Sequence, residues 1–330
     1  MNKVKFATIG TSWICEEFIE TAKTDERFVL EAVYSRSADK AIAYKTKHNA
    51  NRYFTDLETM ASDPEIDCVY IASPNSFHVP QSILFLKHKK HVLCEKPLGS
   101  NFNEVKQAFD IAEENNVLLM EAYKSMMMPN LLHAKNLLSE LGEIRSVFAT
   151  FSKYSSRYDA HKRGEDVNTF KSEFSNGAIL DLGIYCLYPI LHMFGAPKEV
   201  KSFSVKVPGG VDGLGATIFN YDSFLATINY SKVSNSFLPC EVCGENATMI
   251  IDKFNIPEKI DIIYRNGEKK HFELPQRNDS MCYEIEEFID IILNKKEKPS
   301  INTKEITLLC SSICDEIRKM GDIVFPADLH

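Results

Sequence analysis

Apolar and polar positions change rhythm once along the chain. Up to about residue 122, short apolar runs alternate with stretches of helical period. Strands are predicted over Val4–Ile9, Phe28–Tyr34, Cys68–Ala72, His91–Cys94 and Val117–Ala122. Helices are predicted between them, over Trp13–Lys23, Ala38–Lys47, Val79–His88 and Asn103–Asn115. Cys68-Val-Tyr-Ile-Ala72 is apolar throughout, as suits a strand covered on both faces. Strands separated by single helices make a parallel sheet with right-handed crossovers. Beyond about residue 143, strands follow one another: Ile144–Lys153, Val200–Val207, Ala216–Asn220, Phe224–Tyr230, Leu238–Cys243, Ala247–Asp252, Lys259–Tyr264 and Lys270–Leu274. That texture predicts a mainly antiparallel sheet. One helix, Ala178–Met193, interrupts it, and two amphipathic helices, about Ser280–Asn294 and Lys304–Lys319, close the chain. The expected architecture is α/β followed by α+β, with domains over 1–122 and 123–330 and a C-terminal helix packing back on the first.

The 330 residues fit two domains. With 44% hydrophobic and 25% charged residues, the chain is not a disordered one. Thirty-eight basic against 46 acidic side chains leave a net charge of −8, which argues against a nucleic-acid or membrane partner. No window of about 18 uncharged apolar residues is present; the most apolar stretch, 177–196, carries Asp181 and His192. Lys3 and Lys5 precede an apolar run, but Glu16, Glu17 and Glu20 follow it closely, so a cytoplasmic protein is expected. Nine cysteines, an odd number, fit reduced thiols. Cys240-x-x-Cys243 has no second pair at zinc-site spacing and reads as strand packing, so no metal is expected.

Five places carry candidate chemistry. Gly10-Thr-Ser12-Trp13-Ile14-Cys15 follows the first strand directly, where a tight turn lets a helix N-terminus present N–H groups to a pyrophosphate. Tyr34-Ser35-Arg36-Ser37 ends the second strand without an acid for a ribose 2′-hydroxyl. Its arginine and serines suit a 2′-phosphate, and so NADP, although an arginine that only stacks on adenine would serve NAD equally. Ala72-Ser-Pro74-Asn75-Ser-Phe-His78 lies at the carboxyl end of the third predicted strand. Asn75 there either caps the next helix or touches cofactor ribose. Glu95-Lys96-Pro97 closes the fourth predicted strand, and Pro97 restricts the backbone of Lys96. Asn176-Gly-Ala-Ile-Leu-Asp181-Leu-Gly183-Ile-Tyr185 opens the lone helix of the second half, with Asp181 and Tyr185 one turn apart on one face. An acid and a phenol on an apolar helix either bond each other internally or line a wet cleft.

With these motifs in order, the chain resembles the Gfo/Idh/MocA oxidoreductases, the family of glucose–fructose oxidoreductase and inositol dehydrogenase. The resemblance runs its whole length, through Glu95-Lys96-Pro97, Met120-Glu-Ala122 and the Asn176–Tyr185 run. Tyr185 stands where the dihydrodiol and xylose dehydrogenase branch has tyrosine. The resemblance implies a Rossmann dinucleotide-binding domain and a substrate domain whose open sheet forms a homodimer or a dimer of dimers. It also implies Lys96 and Tyr185 as the catalytic pair and Asp181 as a substrate ligand. Gly10, Ser12, Trp13, Ile14, Ser35, Arg36, Ala72, Pro74, Asn75, His78, Glu95 and Lys96 are then the cofactor-binding residues.

The expected reaction moves a hydride between a nicotinamide and a secondary alcohol or ketone of a sugar, polyol or cyclic diol. Tyrosine titrates near pH 10, and a neighbouring ammonium favours phenolate. Tyr185 as acid/base with Lys96 tuning it, or the two roles exchanged, both agree with the residues. Two alternatives stand beside this reading: a dinucleotide-binding sensor without turnover, which would not need Lys96, Asp181 and Tyr185, and an NADP-dependent imine or tetrapyrrole reductase, whose substrate lacks hydroxyls.

Overall fold

A computed structural model describes residues 2–329. The chain forms two compact units, 1–124 with 281–307 and 125–280 with 308–330, so neither is a single stretch of chain.

The first unit contains β1 (Val4–Ile9), α1 (Trp13–Ala22), β2 (Phe28–Tyr34), α2 (Ala38–His48), β3 (Arg52–Phe54), α3 (Leu57–Ala61), β4 (Cys68–Ile71), α4 (His78–Lys87), β5 (His91–Glu95), α5 (Phe102–Glu114) and β6 (Leu119–Ala122). Its six strands run parallel in the order β3-β2-β1-β4-β5-β6. Every residue of β4 is buried, as its unbroken apolar run requires. On one face, Phe6, Phe18, Phe28 and Tyr70 form an aromatic core, with Phe18 and Tyr70 stacked at 3.6 Å. The returning segment completes that core with Met281, Ile285, Phe288 and Ile289. It is tied in by an Arg27–Asp290 ion pair and by Asn302, whose Nδ2 donates to the carbonyls of Glu121 (3.2 Å) and Tyr123 (3.3 Å).

The second unit holds α6 (Pro129–Leu137), β7 (Ile144–Ser152), α7 (Tyr158–Lys162), a π-helical turn (Ile179–Gly183) running into α8 (Ile184–Phe194), β8 (Glu199–Val207), β9 (Val211–Asn220), β10 (Leu225–Ser231), β11 (Cys240–Gly244), β12 (Ala247–Ile251), β13 (Ile260–Tyr264) and β14 (Lys269–Phe272). Helix α9 (Cys282–Ile292) belongs to the first unit, and α10 (Lys304–Met320) begins there and ends in the second. The eight strands run in the order β14-β13-β12-β11-β7-β10-β9-β8, antiparallel except for the β7–β10 pair. One helical stretch, 172–194, is long and apolar enough to cross a membrane, but 78% of its apolar window is buried inside the protein, where it covers the sheet. Cys240 and Cys243, three apart on β11, point to opposite faces and cannot share one metal ion.

Candidate active site

The order of the parallel sheet reverses at β1, with β2 on one side and β4 on the other. Sheets of this kind bind ligands at the carboxyl ends of the strands flanking such a switch. Gly10 follows β1 with φ +120°, a conformation that side chains disfavour. A Cβ there would lie 2.6 Å from the carbonyl oxygen of Ala72, just past β4, whose N–H donates to Ile9 at 2.8 Å. Ser12 occupies the N-cap of α1 but makes no capping bond, and it is exposed beside Trp13, itself 72% exposed. A glycine cradle beside an uncapped, solvent-facing helix N-terminus fits a pyrophosphate. Ile14 is half-buried behind it. Cys15, in the slot where such loops carry a third glycine, is fully buried, and burial pushes its thiol up to about 11.

At the end of β2, the Ser35 hydroxyl accepts from the Ser37 N–H at 3.4 Å, and Ser37 caps α2. Arg36 is exposed, and among the described residues no carboxylate pairs with it. Beyond β4, Pro74 leads into a 3-10 turn, Asn75–Phe77. Asn75 therefore does not cap α4, whose N-cap position falls on Phe77. His78 is fully buried, with its ring nitrogens 2.8 Å from the carbonyl oxygens of Pro97 and Ser73. The ring joins the loops after β4 and β5, and neither nitrogen is left for a ligand.

Lys96 stands half-buried at the carboxyl end of β5, before a cis peptide bond to Pro97. This corner is held from both sides, by His78 and by Glu121 of β6, whose carboxylate accepts the Leu98 N–H at 2.9 Å. Glu95 turns the other way and accepts the Tyr70 hydroxyl at 2.6 Å. Burial raises its pKa, against the pull of Tyr70 and the Lys96 ammonium. Glu284 of α9 is fully buried, and among the described residues neither of its oxygens has a hydrogen-bond partner; burial first, and Glu95 next, push its carboxyl well above the usual range.

In the second unit, the helix over 179–194 lies on β7, β9 and β10. Gly177 precedes it with φ +140°, and a Cβ there would meet Asp212 Oδ1 at 2.2 Å. Asp212, on β9 and fully buried, accepts the Ile179 N–H at 2.7 Å and so caps the helix from another strand. Burial raises its pKa to about 6. Gly183 lets the helix settle on Tyr230, whose ring a Cβ would approach to 2.9 Å. The π-winding of Ile179–Gly183, a feature frequent at functional sites, contains Asp181. Lys232, only 3% exposed, donates to Asp181 Oδ2 at 2.7 Å, while Asp181 itself is 43% exposed. One turn on, Tyr185 is half-buried, with its ring edge-on to Phe151 of β7 at 5.4 Å. His192, further along, is held down to about 4 by burial and so stays neutral.

Residues 4–123 match the oxidoreductase family model with an NAD-binding Rossmann fold, and residues 131–250 match the GFO/IDH/MocA C-terminal domain. The chain is 45% identical to scyllo-inositol 2-dehydrogenase (NADP(+)) IolU of Bacillus subtilis, over 98% of this chain and 99% of that one. It is 30% identical to trans-1,2-dihydrobenzene-1,2-diol dehydrogenase of Oryctolagus cuniculus, over 91% and 92%. The chain belongs to the Gfo/Idh/MocA oxidoreductase family. The 3-ketoreductase KijD10 of Actinomadura kijaniata, solved with NADP and TDP-benzene, shares the Gfo/Idh/MocA fold with it at TM-score 0.87 and 22% identity, over 97% and 98% of the two chains. The protein is accordingly an NAD(P)-dependent oxidoreductase acting on CH–OH groups.

Sequence reasoning did not find Asp212, Lys232 or Glu284. The one available signal was for Lys232, which follows the predicted strand Phe224–Tyr230 at the alternation that faces the helix.

Proposed function

We propose that this protein interconverts a secondary alcohol and a ketone on a neutral cyclic polyol of the inositol kind, using NADP(H). The observation that carries the reading is the helix over 179–194, which offers a charge-compensated, half-exposed Asp181 carboxylate and, one turn on, Tyr185. A carboxylate so placed accepts hydrogen bonds from vicinal hydroxyls. The 45% identity to an NADP-dependent scyllo-inositol dehydrogenase supports the substrate class and the cofactor. The unpaired Arg36 and the absence of an acid at 34–37 support NADP over NAD.

A bound nicotinamide supplies the hydride donor or acceptor. The backbone at Gly10 and the first turn of α1, with Ser12, Trp13 and Ile14 beside it, hold the pyrophosphate. Ser35 and Arg36 take the ribose 2′-phosphate, and Ala72, Pro74 and Asn75 line the remaining edge, whereas Glu95 is turned to Tyr70 and acts through the strand it anchors. His78 acts through the loops it joins. Asp181 orients the polyol, Lys96 donates a hydrogen bond to the reacting oxygen, and Tyr185 carries that oxygen's proton.

Residues 1–122, completed by the returning segment 281–307, form the nucleotide domain in this reading, and the substrate domain also makes the homodimer. The outer face of the eight-stranded sheet supports this assembly, with Phe203 (84% exposed), Val205, Ile218 and Leu225 on one side of three adjacent strands. Nine free thiols, eight of them buried, suit a reducing cytoplasm.

The test is turnover of a panel of inositols, sugars and cyclic diols followed at the nicotinamide absorbance, with Tyr185→Phe as the decisive variant. Its kcat is expected to fall by roughly 10²–10⁴ with NADP affinity unchanged. An unaltered kcat removes Tyr185 from proton transfer.

A further inference from the structure

We propose that Lys232 is a positioning residue for Asp181: its buried ammonium clamps one carboxylate oxygen and so sets the direction in which the group meets substrate hydroxyls. The proposal rests on the reading of Asp181 as a substrate ligand and adds what holds it.

The pair is asymmetric. Lys232 is 3% exposed and Asp181 43%. A carboxylate that faces water needs no protein cation to stay charged, whereas an ammonium taken out of water is costly unless it is paired. Stability alone would favour an apolar side chain in place of this lysine. What the lysine adds is direction.

Its own position is closely determined. The Lys232 N–H donates to the carbonyl of Gly213 at 2.8 Å, fixing the residue just past the end of β10. Its Nζ donates to the Thr169 carbonyl at 3.4 Å and lies 5.2 Å from the centre of the Phe170 ring, which is fully buried. Backbone, carbonyl and ring thus leave the ammonium little freedom, and the 2.7 Å bond passes that rigidity to Asp181 Oδ2. Asp181 lies in the π-helical turn, so its backbone is held by the Asp212 cap below and its side chain by Lys232. A carboxylate held in its substrate-binding direction from two sides loses substrate affinity steeply when one side is released.

The experiment uses the full-length protein with NADP and scyllo-inositol or, should that not be turned over, the inositol that the wild type oxidises best. Asp181→Asn, Lys232→Met, Lys232→Arg and the double variant Asp181→Asn/Lys232→Met are compared, with folding checked by circular dichroism and NADPH binding by Trp13 fluorescence. Lys232→Met is expected to raise KM by roughly 10- to 100-fold while changing kcat much less, and to leave NADPH binding unchanged. Lys232→Arg restores most of the loss, and the double variant is no worse than Asp181→Asn alone. Should Lys232→Met fail to fold, Lys232→Gln takes its place in every comparison. A KM within twofold of wild type, or losses that multiply in the double variant, overturns the clamp. A wild-type KM in Asp181→Asn overturns the underlying reading of Asp181 instead.

Discussion

Two helices in this protein begin with the same backbone device and end with opposite electrostatics. Gly10 before α1 and Gly177 before the 179–194 helix both have positive φ, and at both an added Cβ would strike an oxygen. At Gly10 that oxygen is a backbone carbonyl, and the helix N-terminus beyond it is left uncapped and exposed. At Gly177 the oxygen belongs to Asp212, a buried carboxyl that already occupies the helix start. An N-terminus carries about half a positive charge. The first helix therefore keeps its charge for an anion from outside, whereas the second spends it on a protein carboxyl. In the proposed function, a substrate site that leads with Asp181 and has its helix end already taken suits a neutral hydroxylated ligand better than a phosphorylated one.

Alanine at the two glycines separates these roles. Gly177→Ala is expected to have the largest effect on stability, about 3 kcal/mol or more, because positive φ and a 2.2 Å clash with a buried oxygen coincide. Urea unfolding measures it, and NADPH affinity of the folded fraction should stay at the wild-type value. Gly10→Ala is expected to cost less stability, about 2 kcal/mol, and to weaken NADPH binding by roughly 10-fold or more, since the turn that admits the pyrophosphate must open. If both variants lost NADPH affinity equally, the division of labour between the two helix starts would be wrong.

Much of this was legible in the residues, and what was not has physical causes. The alternation of runs and periods showed the parallel sheet, because buried parallel strands leave unbroken apolar stretches such as Cys68–Ile71. Strand β3, Arg52–Phe54, left no such mark: it is three residues long and only partly buried. Strand β9 starts at Val211, five residues before the predicted Ala216; Gly213 and Gly215 carry no side chain to mark the alternation by which a strand is recognised. Gly215 is there because of a distant residue: a Cβ would lie 2.4 Å from the hydroxyl of Tyr230. In the site, Asp181 and Tyr185 could be read from their helical spacing, since that is a local relation. The Asp212 cap and the Lys232 clamp could not, since each joins positions far apart in the chain. The family resemblance implied His78 as a cofactor ligand; its burial and its two carbonyl partners show a ring that fastens two loops.

The pH dependence of stability tests the sealed helix directly. Burial raises the Asp212 carboxyl from its ordinary 3.8 to about 6 in the folded protein. The folded state therefore binds this proton more tightly than the unfolded chain does. Its contribution is fully present below about pH 4 and is lost as pH rises through about 6. The loss over that window is on the order of 1–3 kcal/mol. Asp212→Asn retains an oxygen to accept the Ile179 N–H but cannot titrate. Chemical unfolding between pH 4 and pH 7 should show the wild type losing this increment and the variant lacking that loss, against the same background from all other groups. A variant whose stability falls in parallel with the wild type would mean that Asp212 takes up no proton between pH 7 and pH 4, the helix N-terminus holding it ionised over the whole window.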